Sequence, residues 1–269
     1  MQDFEGRVAV ITGGASGIGL ALARRLASEG MALVLADIEA SALDAAATGL
    51  RDAGATVTTM VCDVSDADQV GALADHAWSE HGGVHFLANN AGVVTRHEPW
   101  GSLADWKWVI DIDLWGVIYG VHHFVPRMLA DGQPGHIMNT ASTAGLLAFP
   151  GIASYNVAKR GVVALSETMH HELAGSDLTV SVLCPGIVAT RIGESERNRP
   201  GSQATPMKGS VGGGAAEELT PEAVADEVVD AVRGGRFYIL PHAHYGEQAL
   251  RQAENRISAG PPVVPRINY

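Results

Sequence analysis

The chain has 269 residues, of which 46% are hydrophobic, and carries 30 acidic against 18 basic residues for a formal net charge of −12. This apolar content excludes an intrinsically disordered chain, because enough apolar surface is available to offset the entropy lost on folding. The acidic excess argues against binding to nucleic-acid backbones or anionic lipid, since both require a cationic surface.

The cysteines and the first residues indicate the compartment. Cys62 and Cys184 each lie in an apolar run, which predicts buried free thiols rather than a disulfide. Residues 1–7 lack the basic and apolar regions of a signal peptide, and no apolar run approaches the length of a membrane span. We therefore expect a cytoplasmic protein without a membrane partner.

Short apolar or β-branched runs alternate with longer helical patterns along the chain. The alternation predicts βαβ units, and therefore an α/β fold with a parallel sheet covered by helices on both faces. Right-handed crossovers make such a sheet doubly wound. The predicted strands are residues 8–12, 32–36, 56–62, 86–88, 135–140, 179–183 and 236–240.

Capping residues mark several helix starts. Ser41 and Asp66 are expected to cap the helices that follow them, and Thr220 with Pro221 opens a later helix. No internal repeat or shift in composition marks a second domain. Residues 1–269 are therefore predicted to form one domain.

Two segments fall outside the alternation. Residues 187–219 contain two prolines and a glycine triplet, and a segment of this length in a compact domain is usually a functional lid. A surface loop without function is the alternative. Residues 241–269 form a tail with a helical pattern at 247–257, and the sequence leaves open whether it packs on a substrate cleft or on a partner subunit.

The first strand leads into a glycine-rich turn and then into a helix. Backbone N–H groups at such a turn, with the positive end of the helix dipole, can bind a pyrophosphate. Glycine suits the turn because a Cβ would hold the phosphate away from the backbone. The residues predicted to make this contact are Gly13, Ser16, Gly17, Ile18 and Gly19.

Asp37 ends the second predicted strand, some eighteen residues after the turn. A carboxylate at this point can accept both hydroxyls of an adenosine ribose and would repel a 2′-phosphate. The glycine-rich turn contains no Lys or Arg, and the residue after Asp37 is neither of them. The sequence therefore favours NAD over NADP, with a helix cap as the alternative role of Asp37.

Tyr155 and Lys159 stand four residues apart in a predicted helix, so their side chains share one face. An ammonium group beside a tyrosine favours the phenolate, which makes the phenol a usable acid or base near neutral pH. Ser142 follows a strand end, where catalytic groups of open α/β sheets collect. These three residues are the predicted catalytic group.

The order of these motifs resembles that of the short-chain dehydrogenase/reductase family over nearly the whole chain, to about Leu240. The resemblance rests on the glycine turn, Asp63-Val64, Asn89-Asn90-Ala91-Gly92, Ser142, Tyr155, Lys159 and Pro185-Gly186-Ile187-Val188-x-Thr190. It implies a single-domain Rossmann-type fold and an NAD(P)-dependent oxidoreductase.

The resemblance also implies individual roles. Ser142 would bind the substrate oxygen, Tyr155 would exchange its proton, and Lys159 would hold the nicotinamide ribose while lowering the pKa of Tyr155. Tyr155 and Lys159 would thus also contact the cofactor. The other implied cofactor contacts are Asp63 and Val64 at the adenine, Asn90, Ala91 and Gly92 along the cofactor, and Pro185, Gly186, Val188 and Thr190 at the nicotinamide.

The chain departs from the family pattern at two places. Asp113 stands where the family usually has an Asn that supports a water relay behind the lysine, and an ionised Asp donates no hydrogen bond. Its charge near Lys159 would partly oppose the lowering of the Tyr155 pKa, so we predict an active enzyme with a higher pH optimum than an Asn form. Residues 236–242 replace a glycine-ended last strand, so the family's usual C-terminal tetramer contact is not carried over.

Histidine and tryptophan need separate interpretations. The 11 histidines predict no metal site, because they lack ligand spacing with Cys or carboxylate partners; His242 and Tyr245 are interpreted as lining the cleft. Trp108 and Trp115 are expected on one face of a helix at 105–130, either in the core or at a subunit interface. A homodimer or homotetramer is expected.

The favoured function is hydride transfer between NAD(H) and a secondary alcohol or ketone, with Tyr155 as general acid and base. Several apolar residues are candidates for the wall of the substrate site, and they suggest an apolar, bulky or cyclic small-molecule substrate. They are Trp100, Leu146, Leu147 and Phe149. The alternative is a non-catalytic nucleotide-sensing or scaffold protein on the same fold. The Ser142, Tyr155 and Lys159 set argues against it, since a sensor needs no pKa-matched phenol.

Overall fold

The computed structural model describes residues 1–201 and 218–266. Within them, seven strands form one parallel sheet in the order β3-β2-β1-β4-β5-β6-β7. The strands are β1 (Val8–Thr12), β2 (Ala32–Asp37), β3 (Val57–Val61), β4 (Phe86–Asn89), β5 (Gly135–Thr140), β6 (Leu178–Leu183) and β7 (Tyr238–Ile239). The predicted seven-stranded, doubly wound α/β fold is confirmed.

Helices cover both faces of this sheet. They are α1 (Gly17–Ser28), α2 (Ala40–Asp52), α3 (Ala67–His81), α4 (Leu103–Ile110), α5 (Gly116–Asp131), α6 (Ala153–Glu172), α7 (Pro221–Arg233) and α8 (Ala243–Ile257). Successive strand residues point to opposite faces. Ile11 therefore lies in the core with α1, α2 and α7, whereas Val10 lies in the core with α3, α5 and α6.

The order in which strands are added to the sheet reverses between β1 and β4. Val10 of β1 stands opposite Val34 of β2 on one side and Leu87 of β4 on the other. The chain runs outward from β1 to β3 and then returns to β4, so the loops after β1 and β4 diverge. Ligand clefts of open parallel sheets lie at this point, outside the carboxyl ends of the strands.

Two of the three predicted helix caps are confirmed. Asp66 accepts hydrogen bonds from N–H groups of the first turn of α3, and Thr220 caps α7 ahead of Pro221. The prediction for Ser41 is wrong, because α2 already begins at Ala40 and Ser41 lies inside its first turn.

A π-helical turn, Asp111–Trp115, joins α4 to α5. The sequence predicts a regular helix here, but a π turn holds an extra residue and rotates every side chain that follows it. Trp108 is consequently buried while Trp115 is 44% exposed, so their expected common face is wrong. The same turn places Asp113 fully inside the protein.

The predicted lid and tail are partly described. Within residues 187–201, a 3₁₀ helix spans Arg191–Asn198; the glycine triplet of the lid lies outside the described residues. In the tail, α8 starts four residues before the predicted pattern, and the chain after it turns back along the helix. In the part of the chain that is described, no helix is long and apolar enough to cross a membrane.

Candidate active site

A cleft of about 490 Å³ opens where the loops after β1 and β4 diverge. Most of the predicted site residues line it, namely Gly13, Ser16, Gly17, Ile18, Asp37, Asp63, Val64, Asn90, Ala91, Gly92, Ser142, Tyr155, Lys159, Pro185, Gly186, Val188 and Thr190. Gly19 and Asp113 do not line the cleft. Gly19 lies directly behind Gly13, and Asp113 lies directly behind Lys159.

The glycine turn after β1 has a backbone that side chains would disturb. Gly13 and Gly17 adopt φ of +65° and +54°, a left-handed conformation that glycine tolerates best. A Cβ on Gly19 would stand 2.1 Å from the carbonyl oxygen of Gly13. The side chain of Ser16 makes no capping hydrogen bond to α1, so the helix start faces the cleft uncapped by that residue. This arrangement fits a pyrophosphate at the helix N-terminus.

Asn90 stabilises the glycine turn through hydrogen bonds to the end of β1. Its Nδ2 donates to the carbonyl oxygen of Thr12 at 3.0 Å, and its backbone N–H donates to Thr12 Oγ1 at 2.9 Å. The Thr140 hydroxyl donates to Asn90 Oδ1 at 3.3 Å. The side chain therefore ties together the carboxyl ends of β1, β4 and β5, which is a supporting role in addition to its place in the cleft wall.

Two carboxylates stand at the β2 and β3 side of the cleft. Asp37 accepts from the backbone N–H groups of Ala15 and Glu39, each at 3.0 Å. Asp63 accepts from the backbone and hydroxyl of Ser65, at 2.9 and 2.7 Å. A carboxylate has about four acceptor positions, so Asp37 retains capacity to accept from the hydroxyls of a ribose.

Ser142, Tyr155 and Lys159 meet at the other end of the cleft. Ser142 follows β5, its hydroxyl donates to the carbonyl oxygen of Pro185 at 3.4 Å, and it acts to lower the pKa of Tyr155. Lys159 Nζ lies 5.5 Å from the centroid of the Tyr155 ring and donates to the carbonyl oxygen of Thr140 at 3.0 Å. The helical spacing of Tyr155 and Lys159 thus brings both groups to the strand end that carries Ser142.

Asp113 holds Lys159 from behind. One of its carboxylate oxygens lies 3.3 Å from Lys159 Nζ, and the other accepts from the backbone N–H of Val93 at 2.8 Å. A Cβ on Gly92 would come within 3.3 Å of Lys159 Nζ, so the lysine passes closely between that glycine and its acid. Asp113 is therefore a positioning residue that does not itself face the cleft.

Burial and charge act together on these groups. Burial raises the pKa of Tyr155; Lys159 opposes this, Asp113 adds to it, and the net direction is upward. Burial lowers the pKa of Lys159, but Asp113 and Tyr155 outweigh it and the net direction is again upward. Burial raises the pKa of Asp113 against the opposing charge of Lys159. The expected lowering of the Tyr155 pKa is thus present as one contribution, and burial outweighs it.

The loop after β6 is fixed by the C-terminal tail. The N–H of Gly186 donates to His242 Nδ1 at 3.0 Å, so His242 Nε2 carries the proton and donates to the carbonyl oxygen of Ile187 at 2.9 Å. A Cβ on Gly186 would stand 2.6 Å from the ring of Tyr245. The tail therefore packs on the cleft. Tyr245 lines the cleft as predicted, whereas His242 supports its wall.

The wall beside Tyr155 is largely apolar. The Phe149 and Tyr245 rings lie 6.1 Å apart, and Val94 and Pro265 also line the cleft. Gln248 of α8 holds the tail end here, because its amide bonds the backbone N–H and carbonyl of Arg266 at 2.8 and 3.2 Å.

Three predicted wall residues lie outside the cleft. Trp100 is 84% exposed on the surface ahead of α4. Leu146 packs on the hydrophobic cluster around Val162, and Leu147 is almost fully buried. The sequence prediction is wrong for these three residues: Leu146 and Leu147 follow the short 3₁₀ helix Thr143–Gly145 and point into the core, and Trp100 points to the surface.

A charged group at the mouth of the cleft carries no signal in the local sequence. Glu39, directly after the β2 loop, is paired with Arg197 of the 3₁₀ helix in the lid segment, and both line the cleft. The two residues are 158 positions apart, so no local pattern signals their contact. Among residues 1–201 and 218–266, no group of three or more His, Cys, Asp and Glu side chains is arranged to hold a metal ion.

Comparisons with known proteins identify the family of this chain. The family model for short chain dehydrogenase matches residues 7–201. A solved short chain dehydrogenase/reductase from Burkholderia phymatum, in complex with NAD, superposes with a TM-score of 0.92 at 40% identity over 99% of each chain. The chain belongs to the short-chain dehydrogenase/reductase family, a family of oxidoreductases.

Two curated relatives are similar over most of their length. The 1-deoxy-11-beta-hydroxypentalenate dehydrogenase of Streptomyces exfoliatus is 34% identical over 90% of this chain and 85% of its own. The cis-4-hydroxycyclohexanecarboxylate dehydrogenase of Sinomonas cyclohexanicum is 41% identical over 70% of this chain and 76% of its own.

Proposed function

We propose that this protein is an NAD(H)-dependent dehydrogenase that interconverts a cyclic secondary alcohol and its ketone. The observation that carries the proposal is the convergence of Ser142, Tyr155 and Lys159 on one end of a cleft whose other end presents an uncapped helix start and Asp37. A long cleft with a phosphate cradle at one end and an acid–base group at the other suits a dinucleotide bound beside a small substrate.

The cofactor contacts follow from the same geometry. The amides of the turn and of the α1 start would bind the pyrophosphate, and Asp37 would accept the hydroxyls of the adenosine ribose. Asp63 and Val64 would border the adenine, and the loop at 185–190 the nicotinamide. That loop lies close to the turn, since a Cβ on Gly17 would be 3.1 Å from the Thr190 methyl group. The carboxylate at the adenosine end supports NAD over NADP.

Tyr155 would move the proton. When bound, the nicotinamide supplies the hydride donor or acceptor. In the oxidation direction the Tyr155 phenolate takes the proton of the substrate hydroxyl, and in reduction the phenol returns it to the carbonyl oxygen. Ser142 holds the substrate oxygen beside the phenol. Lys159 keeps positive charge near Tyr155 and opposes the upward effect of burial on the pKa of Tyr155.

The substrate class rests on the apolar wall and on the relatives. Phe149, Tyr245 and Pro265 border the cleft with flat or ring-shaped surfaces that suit a ring. The two curated relatives are named as dehydrogenases of hydroxylated cyclic carboxylates. Arg96 also lines the cleft and is a suitable partner for a substrate carboxylate.

A substrate panel tests the proposal. The purified enzyme with NAD is offered cyclic secondary alcohols with and without a carboxylate, acyclic secondary alcohols and primary alcohols, and NADH absorbance is followed. We expect the highest kcat/KM for the cyclic secondary alcohols. Absence of turnover on every alcohol and on the matching ketones with NADH, although NADH binds, would instead favour a nucleotide-sensing role.

A further inference from the structure

The charged group at the mouth of the cleft contains one acid and several lid residues. Glu39 Oε1 accepts from Arg197 Nε at 3.1 Å and Nη2 at 2.5 Å, and from Asn198 Nδ2 at 3.1 Å. The second oxygen of Glu39 lies 4.0 Å from Arg191 Nη2. One carboxylate thus engages two arginines and one amide from Arg191–Asn198.

This group lies at the adenosine end of the cleft. Glu39 is two residues beyond Asp37, and its backbone N–H donates to the Asp37 carboxylate. The lid segment starts near the glycine turn, where Thr190 contacts Gly17, and runs across to Glu39. Folding therefore brings arginines to a place where the local sequence contains none.

The ion pair between Glu39 and Arg197 keeps Glu39 in its charged form. Arg197 and Glu39 form a two-pronged, charge-assisted contact with side chains only 22% and 25% exposed, so solvent screens them less than a surface pair. The hydrogen bond from Arg197 holds the pKa of Glu39 below its usual range, and Glu39 stays ionised at neutral pH. Its charge is therefore matched by the arginines at every pH relevant to activity.

We propose that Glu39 determines cofactor specificity by occupying Arg197 and Arg191, which would otherwise bind the 2′-phosphate of NADP. The proposal rests on the proposed function, because it assumes that adenosine lies at Asp37. Arginine binds phosphate through the same fork that it uses for carboxylate. With Glu39 present, its carboxylate pairs with Arg197, Arg191 is shared between Glu39 and Glu194, and a second carboxylate stands beside Asp37, so a dianionic phosphate is repelled. Without Glu39, Arg197 is free to receive it.

Binding measurements test this without turnover. NADH and NADPH are titrated into the wild type and into Glu39→Gln, with nucleotide fluorescence or calorimetry giving each Kd. The substitution keeps the size and polarity of the side chain but removes its charge. We expect Glu39→Gln to lower the ratio of the NADPH Kd to the NADH Kd by at least about tenfold, chiefly through tighter NADPH binding.

Two further variants assign the effect to the arginine. The double variant Glu39→Gln/Arg197→Gln is expected to lose most of the gain, and Arg197→Gln alone to raise the ratio, because it leaves Glu39 unneutralised. Glu196→Gln is the matched control: it removes an acid of the same 3₁₀ helix whose partner is Arg199, and because neither Glu196 nor Arg199 lines the cleft, the ratio should stay unchanged within about twofold.

Several outcomes would overturn the assignment. An unchanged ratio in Glu39→Gln, or an equal change in both affinities, makes the pair a purely structural contact. If Glu39→Gln does not fold, an unchanged ratio in Arg197→Gln has the same meaning. A wild type that binds neither nucleotide refutes both this assignment and the proposed function. A wild type that binds NADH but oxidises no alcohol refutes only the proposed function.

Discussion

The two halves of the cleft are built in different ways. The half beneath β1 and β2 is made by backbone atoms of neighbouring residues, since Gly13, Gly17 and Gly19 lie within seven positions. The half around Tyr155 is made by segments that are distant in sequence; for example, the backbone N–H of Gly186 donates to the ring of His242, 56 positions away. Backbone geometry is encoded locally, whereas the second half exists only once the whole chain has folded.

The halves also handle charge differently. The glycine turn presents partial charges on backbone amides, so an acidic protein can bind a diphosphate without a basic patch. The other half buries a full ion pair, Lys159 with Asp113, whose side chains are 3% and 0% exposed. Buried ion pairs lose solvation and require exact partners to remain favourable. We therefore expect substitutions in the first half to act through shape, and those in the second through pKa and position.

Gly19→Ala is expected to give the largest effect and to act on the nucleotide half. The added Cβ would fall 2.1 Å from the carbonyl oxygen of Gly13 and 2.7 Å from Asn90 Nδ2, so the turn must move. We expect the NADH Kd to rise on the order of 100-fold, which corresponds to about 2.8 kcal/mol of binding free energy. NADH titration measures it, with circular dichroism showing whether the fold is kept.

Gly49→Ala serves as the control, because Gly49 lies in α2 and a Cβ there would meet nothing within 4 Å. Alanine is the better helix former, so the free energy of unfolding should rise by about 1 kcal/mol with NADH binding unchanged. Retention of wild-type NADH affinity by Gly19→Ala would contradict the account of the turn.

Asp113→Asn sharpens the comparison in the catalytic half. The Asp113 carboxylate raises the pKa of Tyr155, and an amide of the same size removes that contribution. The pKa of the phenol then falls, and the rising limb of alcohol oxidation, which needs the phenolate, moves to lower pH. We expect a shift of about one pH unit in the kcat/KM profile.

Asp111→Asn is the matched control for this shift. Asp111 belongs to the same π turn but pairs with the exposed Lys107, away from Lys159. Its pH profile should coincide with that of the wild type. An Asp113→Asn profile that also coincides would show that the carboxylate does not act on Tyr155.

His242→Phe is expected to give a smaller effect, on the wall between the halves. Phenylalanine keeps an aromatic ring at this position, but it lacks the two ring nitrogens, so the N–H of Gly186 and the carbonyl of Ile187 lose their hydrogen-bond partner. An unsatisfied buried backbone donor costs about 1–3 kcal/mol, which should appear as a lower free energy of unfolding. The KM values should rise several-fold while kcat changes less, because Tyr155 is not displaced.

His171→Phe is the control, because His171 is an exposed histidine at the end of α6. It should change neither the free energy of unfolding nor the KM values. Equal effects of the two variants would contradict the role of His242.

The sequence predicts those features of the molecule that are determined by residues close to one another in the chain. The parallel sheet of seven strands follows from the alternation of strand and helix patterns, and the roles of Gly13, Asp66 and Thr220 follow from turn and capping chemistry that needs no distant partner. The spacing of Tyr155 and Lys159 predicts their common face for the same reason.

Contacts across long separations could not be predicted in this way. The pairing of Glu39 with Arg197 and the support of Gly186 by His242 join segments that are remote in sequence. The π turn at Asp113 also leaves no periodic signal, since one extra residue shifts the phase without changing the composition. Burial, which outweighs Lys159 in setting the direction of the Tyr155 pKa, exists only in the folded protein.

One measurement tests the central claim most directly. With the best substrate of the panel, single-turnover and steady-state rates are compared for the wild type and Tyr155→Phe, and NADH binding is titrated for both. We predict that kcat falls by about 10²- to 10⁴-fold, the usual contribution of a positioned acid–base group, while the NADH Kd stays within a few-fold of the wild type. A Tyr155→Phe variant that turns over within about tenfold of the wild-type rate would contradict proton transfer through Tyr155.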